Sequence, residues 1–194
     1  KIFVVSNNNR YTPNMIYDRL SSVGIHVKLE NIITSLTHVK DYCLKYYKNS
    51  SVFVWGTEES KQWLLNNNLN IVEKNADVVV VLYRNDYHYK ELVELCTLIT
   101  KTKKYIIGNR DLTYPDLHKC IPDTGSVMNL IASSTDIAPE IICGKPSKMM
   151  LPNSVERPAI MFGDSLKTDK PFAANCSLDF VHVKESCENA TMSH

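Results

Sequence analysis

Asp164 and Asp169 stand five residues apart, directly after an apolar run, Ala159-Ile-Met-Phe162, that ends in Gly163. Carboxylates at the carboxyl end of a strand lie where open α/β sheets bind their ligands. As hard oxygen ligands they suit Mg²⁺, which keeps several waters and takes only one or two protein carboxylates. A surface turn with an aspartate capping the next helix would leave the same pattern. Two other strand ends carry polar groups of a matching kind, Ser6 after Val4-Val5 and Lys145 after Gly144. A hydroxyl and an ammonium can hold the oxygens of a phosphate whose charge a metal offsets. Taken singly, Lys145 reads more readily as a solvated loop lysine and Ser6 as a turn cap. Taken together, the three strand ends are what phosphoryl transfer needs.

The elements that must position these groups alternate. Ile2 to Val5 reads as a short buried strand, stopped by Ser6-Asn-Asn-Asn9, a cluster that favours turns and caps. Thr12 predicts a helix N-cap with Pro13 in the first turn. Ile16, Leu20 and Val23 then give a helical stripe ended by Gly24. Ile32 to Ser35 is a second strand end, and helical spacing follows from about His38 to Tyr47. Ser51 to Trp55 reads as a strand closed by Gly56, and Glu58 to Leu65 as a helix broken by Asn66-Asn-Asn68. Ala76 to Leu82 is the most β-like run, and its lack of alternation predicts a strand covered on both faces. Tyr89 to Thr100 is an amphipathic helix, Tyr105 to Gly108 a strand, and Asn109 to Pro115 a loop. A helix over Gly125 to Ser134 and a strand over Glu140 to Cys143 come next. After the buried run Ala159 to Phe162, a helix through about Asn175 and a strand near Phe180 to Val183 lead into a polar tail. Strands alternating with helices predict an α/β fold with a mostly parallel sheet.

The 194 residues suffice for one core, or for one domain carrying an inserted second one. With 44% hydrophobic and 22% charged residues the composition is that of an ordinary globular chain. A formal charge of +1 gives no electrostatic reason to expect nucleic acid or an anionic membrane as partner. No apolar run is long enough to span a bilayer, and none at the start reads as a signal peptide. Six cysteines, Cys43, Cys96, Cys120, Cys143, Cys176 and Cys187, are widely spaced without a Cys-x-x-Cys pair. That spacing argues for reduced, mostly buried thiols and a cytoplasmic setting.

In their order, these pieces resemble the haloacid dehalogenase-like phosphatases. The resemblance is greatest to their capped subgroup, which holds NagD-type, 4-nitrophenylphosphatase-like, phosphoglycolate and pyridoxal phosphate phosphatases. Val4-Val-Ser-Asn-Asn8 is similar to the family's second motif, and Ile32 to Ser35 to the segment after its first core helix. Asn109-Arg-Asp111 with Pro115 resembles the substrate-specificity loop of the cap, and Thr124-Gly-Ser126 the return toward the core. Gly144-Lys-Pro-Ser147 resembles the third motif, and Gly163-Asp164 with Thr168-Asp169 the fourth.

The resemblance implies a Rossmann-like core, here incomplete because its first strand is missing, with an inserted α/β cap. Residues 1–49 and 141–194 would form the core and residues 50–140 the cap. It gives Ser6 and Lys145 catalytic, phosphate-holding roles, with Asn7 and Asn8 beside them. It places Asn109, Asp111 and Tyr114 toward the substrate, with Tyr83, Tyr87, Asp116 and His118 as further candidates. Asp164 and Asp169 would bind Mg²⁺, the substrate would be a small phosphorylated metabolite, and the cap could mediate a homodimer.

The family's first motif, a strand ending in Asp-x-Asp, has no counterpart: no Asp-x-Asp occurs in the 194 residues. In that motif the first aspartate attacks phosphorus and the second handles the leaving-group proton. The expectation is therefore a piece of a Mg²⁺-dependent phosphomonoester hydrolase that works through an aspartyl-phosphate, lacking its nucleophile and inactive alone. The alternative is a non-catalytic descendant that binds or dimerises through its cap. Pro152 and Pro158 predict a shortened helix between the third and fourth motifs.

Overall fold

The computed structural model describes residues 1–114 and 119–183. The chain divides into two units, residues 1–144 and residues 145–194.

The first unit opens with β1 (Val4–Ser6), α1 (Pro13–Ser22) and β2 (Ile32–Thr34), and the two strands pair in parallel with Ser6 opposite Thr34. Thr12 caps α1 by accepting the Met15 N–H at 3.3 Å, with Pro13 in the first turn, as its sequence predicts. α2 (Ser35–Tyr46) follows β2 without a loop, because Thr34 and Thr37 form a reciprocal capping box at the junction.

The larger sheet then builds up from β3 (Val52–Trp55), α3 (Glu58–Asn66), β4 (Val78–Val81), α4 (Tyr89–Thr102) and β5 (Tyr105–Ile107). A short antiparallel hairpin, β6 (Thr113–Tyr114) with β7 (Ile121–Pro122), precedes α5 (Thr124–Thr135) and β8 (Ile141–Ile142). The hairpin is a departure from the loop expected over Asn109 to Pro115. The order β3-β4-β5-β8 is parallel throughout. Every residue from Val78 to Val81 is fully buried. Because side chains alternate across a strand, Val78 and Val80 join Leu36, Val39, Cys43 and Leu64 in one core. Val79 and Val81 join Leu95, Ile99, Ile107 and Ile131 in the other. This is the two-sided cover that the non-alternating valine run predicts.

The second unit contains β9 (Ile160–Gly163), α6 (Asp169–Asn175) and β10 (Asp179–His182), a parallel β-α-β unit. Before it, only a single 3₁₀ turn, Lys148–Met150, forms, in line with the shortened helix expected there. Phe172 and Ala173 of α6 are buried. The expectation of a buried strand over Ala159 to Phe162 is corrected: Ile160 and Phe162 are 56% and 66% exposed. They share one face of the pleat, and α6 covers the other, where Met161 is half-buried. The cysteine expectation holds in part. Cys43, Cys143 and Cys176 are buried free thiols, Cys96 is half-buried, Cys120 is exposed, and Cys187 lies outside the described residues. No helix among the described residues is long and apolar enough to cross a membrane.

Candidate functional site

Ser6 ends β1, and the three asparagines after it are held by side chains. Asn9 is 1% exposed; its Oδ1 accepts the Tyr83 N–H at 2.6 Å and its Nδ2 donates to Thr124 Oγ1 at 3.1 Å. The Asn7 carbonyl accepts from Ser35 Oγ at 2.7 Å and from Asn109 Nδ2 at 2.9 Å. The Asn7 amide donates to Asp111 Oδ2 at 3.0 Å. Ser6 Oγ accepts the Asn8 N–H at 3.2 Å, and Asn8 Oδ1 in turn accepts the N–H groups of Arg10 and Tyr11. Tyr83 lies just past β4, Asn109 just past β5, and Thr124 opens α5. The loop is thus fastened along the carboxyl edge of the larger sheet, where parallel α/β sheets place their ligands.

Gly144, just past β8, belongs to the same frame. Its φ of +86° favours glycine, and a Cβ there would lie 2.8 Å from Asn7 Oδ1. Its N–H donates to Nδ1 of buried His38 at 3.2 Å. Burial holds the His38 pKa below its ordinary value, with Asp41 opposing the shift. The other ring nitrogen, Nε2, has no hydrogen-bond partner among the described residues.

In the second unit, Lys145 Nζ lies 2.5 Å from Asp169 Oδ1, with the two side chains only 11% and 4% exposed. Asp169 opens α6, and its Oδ2 accepts the Ser165 N–H at 3.1 Å. Gly163 makes this closeness possible, since a Cβ there would stand 2.5 Å from Asp169 Oδ2. Asp164, in the turn between, is exposed, and its carbonyl accepts from His182 Nε2 at 3.1 Å. The donor set fits Mg²⁺ in kind, since Asp164 is an exposed carboxylate five residues before the buried carboxylate of Asp169 and both are hard oxygen ligands. Among the described residues, no group of three or more His, Cys, Asp or Glu is placed so that it could hold a metal ion by itself.

The model of the family described as haloacid dehalogenase-like hydrolase matches residues 1–70. The 5'-nucleotidase YutF of Bacillus subtilis is 28% identical over 185 residues, which cover 92% of this chain and 72% of that protein. The acid sugar phosphatase of Staphylococcus epidermidis is 27% identical over 187 residues, covering 93% and 72%. The crystal structure of 4-nitrophenylphosphatase from Thermotoga maritima superposes with a TM-score of 0.85 at 27% identity, covering 92% of this chain and 70% of that one. The chain is similar to the haloacid dehalogenase-like hydrolases. Its likeness is to the NagD and 4-nitrophenylphosphatase group within that family.

Within the haloacid dehalogenase-like frame, the structure brings Asn7, Asn109 and Asp111 together in the first unit, and Lys145 and Asp169 together in the second. The rings of Tyr83 and Tyr114 lie 5.6 Å apart, whereas Tyr87 packs on Trp55 at 5.1 Å. Asp116 and His118 lie outside the described residues. Sequence reasoning missed Asn9, Ser35 and Thr124, which hold the asparagine loop, and His38 behind Gly144. A buried asparagine and a turn asparagine look alike in a run of three, so only Thr124, heading a helix, carried any signal.

Proposed function

We propose that the chain supplies the metal- and phosphate-holding side of a Mg²⁺-dependent phosphomonoester hydrolase acting on a small phosphorylated metabolite. The buried Lys145–Asp169 pair beside the open Asp164 carboxylate carries this reading. An ammonium held in place by a carboxylate can steady a phosphate oxygen as charge moves in the transition state. Asp164 and Asp169 would hold the metal, with Asp169 also fixing Lys145. When bound, Mg²⁺ offsets the phosphate charge. Ser6 Oγ and the amides after it would hold the transferring phosphate, while Asn109, committed to Asn7 and Asp111, would position the loop.

Ester cleavage in this scheme needs a carboxylate that attacks phosphorus and an acid that protonates the departing oxygen. The Asp-x-Asp pair that would do both is not among the 194 residues, so this chain alone should turn over little substrate. The division proposed is a core of residues 1–49 and 141–194 with a cap over 50–140. A cap homodimer is the second reading, favoured by exposed Tyr89, Val93 and Leu130 on α4 and α5.

The test is hydrolysis of 4-nitrophenyl phosphate with Mg²⁺ by the chain as it stands and by one carrying an Asp-x-Asp strand ahead of Lys1. Turnover is expected only with the added strand, and it should disappear on Asp164→Asn. Robust turnover by the unextended chain would overturn the assignment of the nucleophile, and an inactive extended chain would favour the dimerisation reading.

A further inference from the structure

A cavity of about 290 Å³ opens at the carboxyl ends of β3 and β4, lined by Arg10, Tyr11, Thr57, Glu59, Arg84 and Asp86 among others. Its charged groups are unequally occupied. Arg84 reaches Glu91 at 2.6 Å and donates from Nε to the Asp86 carbonyl at 2.8 Å. Glu58, also in the lining, pairs with Lys61 at 2.8 Å. Arg10 is different: among the described residues its guanidinium makes no hydrogen bond and no ion pair. It is held by stacking instead, 5.0 Å from the Tyr11 ring centroid and 5.2 Å from that of Tyr83. Tyr114 supports Tyr83 in turn. Burial raises the pKa of both Tyr83 and Tyr114, so each phenol stays neutral and neither supplies Arg10 with a counter-charge.

A half-buried guanidinium fixed in plane, with five donors in a rigid fork, is built to receive an oxyanion. Its backbone is fixed as well, because Asn8 Oδ1 accepts the Arg10 N–H at 3.0 Å and Ser6 Oγ accepts the Asn8 N–H at 3.2 Å. Arg10 stands four positions after Ser6, so their Cα atoms are at most about 14 Å apart even with the chain extended. One small metabolite can bridge that distance.

We propose that Arg10 binds a second anionic group, a carboxylate or a second phosphate, on the phosphomonoester whose reacting phosphate is held at Ser6. The proposal rests on the phosphatase reading, and it narrows the substrate class to phosphate esters with an oxyanion at the other end. Glu59, exposed in the same lining and without an ion-pair partner among the described residues, disfavours an anion that reaches too far toward α3.

The test is calorimetric titration of the chain, with Mg²⁺ present, using propyl phosphate, 3-phosphonooxypropanoate and propane-1,3-bisphosphate. One of the two doubly anionic probes should bind at least about tenfold more tightly than propyl phosphate; which one does so tells carboxylate from phosphate. Arg10→Met should bring that ratio close to one, and Arg10→Lys should restore part of it, with unchanged melting temperatures excluding misfolding. Equal affinities in the parent, or a preference that survives Arg10→Met, overturn the proposal. If propyl phosphate does not bind at all, the phosphate site at Ser6 fails separately. The Arg10 site is then read from its Nε–H resonance during titration with propanoate and methylphosphonate. A saturable shift with either supports an anion site, and no shift with both overturns it.

Discussion

Asn9 and Asp164 each follow the end of a parallel strand, yet one is almost completely buried and the other is open to solvent. The asparagine loop is framed by several elements at once, through Tyr83 after β4, Asn109 after β5, Thr124 of α5 and Ser35 of α2. The aspartate turn has a local frame: Asp169 takes Lys145 on one oxygen and the Ser165 N–H on the other. β4 before Tyr83 is covered on both faces, whereas β9 before Asp164 leaves Ile160 and Phe162 exposed. A distributed frame of neutral hydrogen bonds should therefore fail by increments. A frame centred on one buried ion pair should fail at once.

The largest effect is expected from Lys145→Met, which strands the Asp169 carboxylate with its partner gone. Breaking a buried pair by removing one member costs roughly 3–5 kcal/mol, readable as a drop in the urea midpoint. Replacing both members by apolar residues, Lys145→Met with Asp169→Leu, should recover most of that loss, because no uncompensated charge remains. A double variant as unstable as the single one would show that the pair is not what holds the turn.

A smaller loss is expected from Asn9→Ala. It leaves the Tyr83 N–H without its acceptor in a buried place, at a cost of about 1–3 kcal/mol. Because the other ties of the loop remain, amide exchange should quicken at Tyr83 and Thr124 but not through α2. Exchange accelerated along the whole of α2 would mean that the frame is one cooperative unit and that its contrast with the aspartate turn is false.

How much of this could be read in the chain beforehand follows the same division. Strand and helix order was legible, since Val78 to Val81 and the Leu92, Leu95 and Ile99 stripe carry their periods openly. The Lys145 and Asp169 positions were legible as types, through the order of their motifs, but their pairing at 2.5 Å is a tertiary fact that no spacing encodes. The burial of β9 was misjudged because an apolar tetrapeptide specifies a strand and not how many faces are covered. The β6–β7 hairpin was missed for a related reason. Thr113-Tyr114 and Ile121-Pro122 are too short to show alternation, and they meet each other and α5 only in the folded chain. Arg10 was passed over because a free guanidinium and a paired one are the same letter.

The smallest effect concerns His38, which stands behind the junction of the asparagine loop and Gly144 and tests whether that frame tolerates a charge. Its Nδ1 accepts the Gly144 N–H, so a proton there would cost the hydrogen bond as well as the burial of a cation. Burial lowers the folded pKa, and the unfolded chain keeps the ordinary value of 6.5. As pH falls below 6.5 the unfolded state takes up the proton first. The stability His38 lends is therefore complete above that pH and is lost progressively toward the folded-state pKa, by at most about 1.4 kcal/mol per pH unit. His38→Gln offers a neutral acceptor to the same N–H. Between pH 7.5 and 5.5 the parent should lose more stability than this variant in urea unfolding, by no more than about 1.4 kcal/mol. Equal losses would place the proton elsewhere, and a steeper loss in the variant would mean that Asp41 outweighs burial and that the frame is already adapted to an imidazolium.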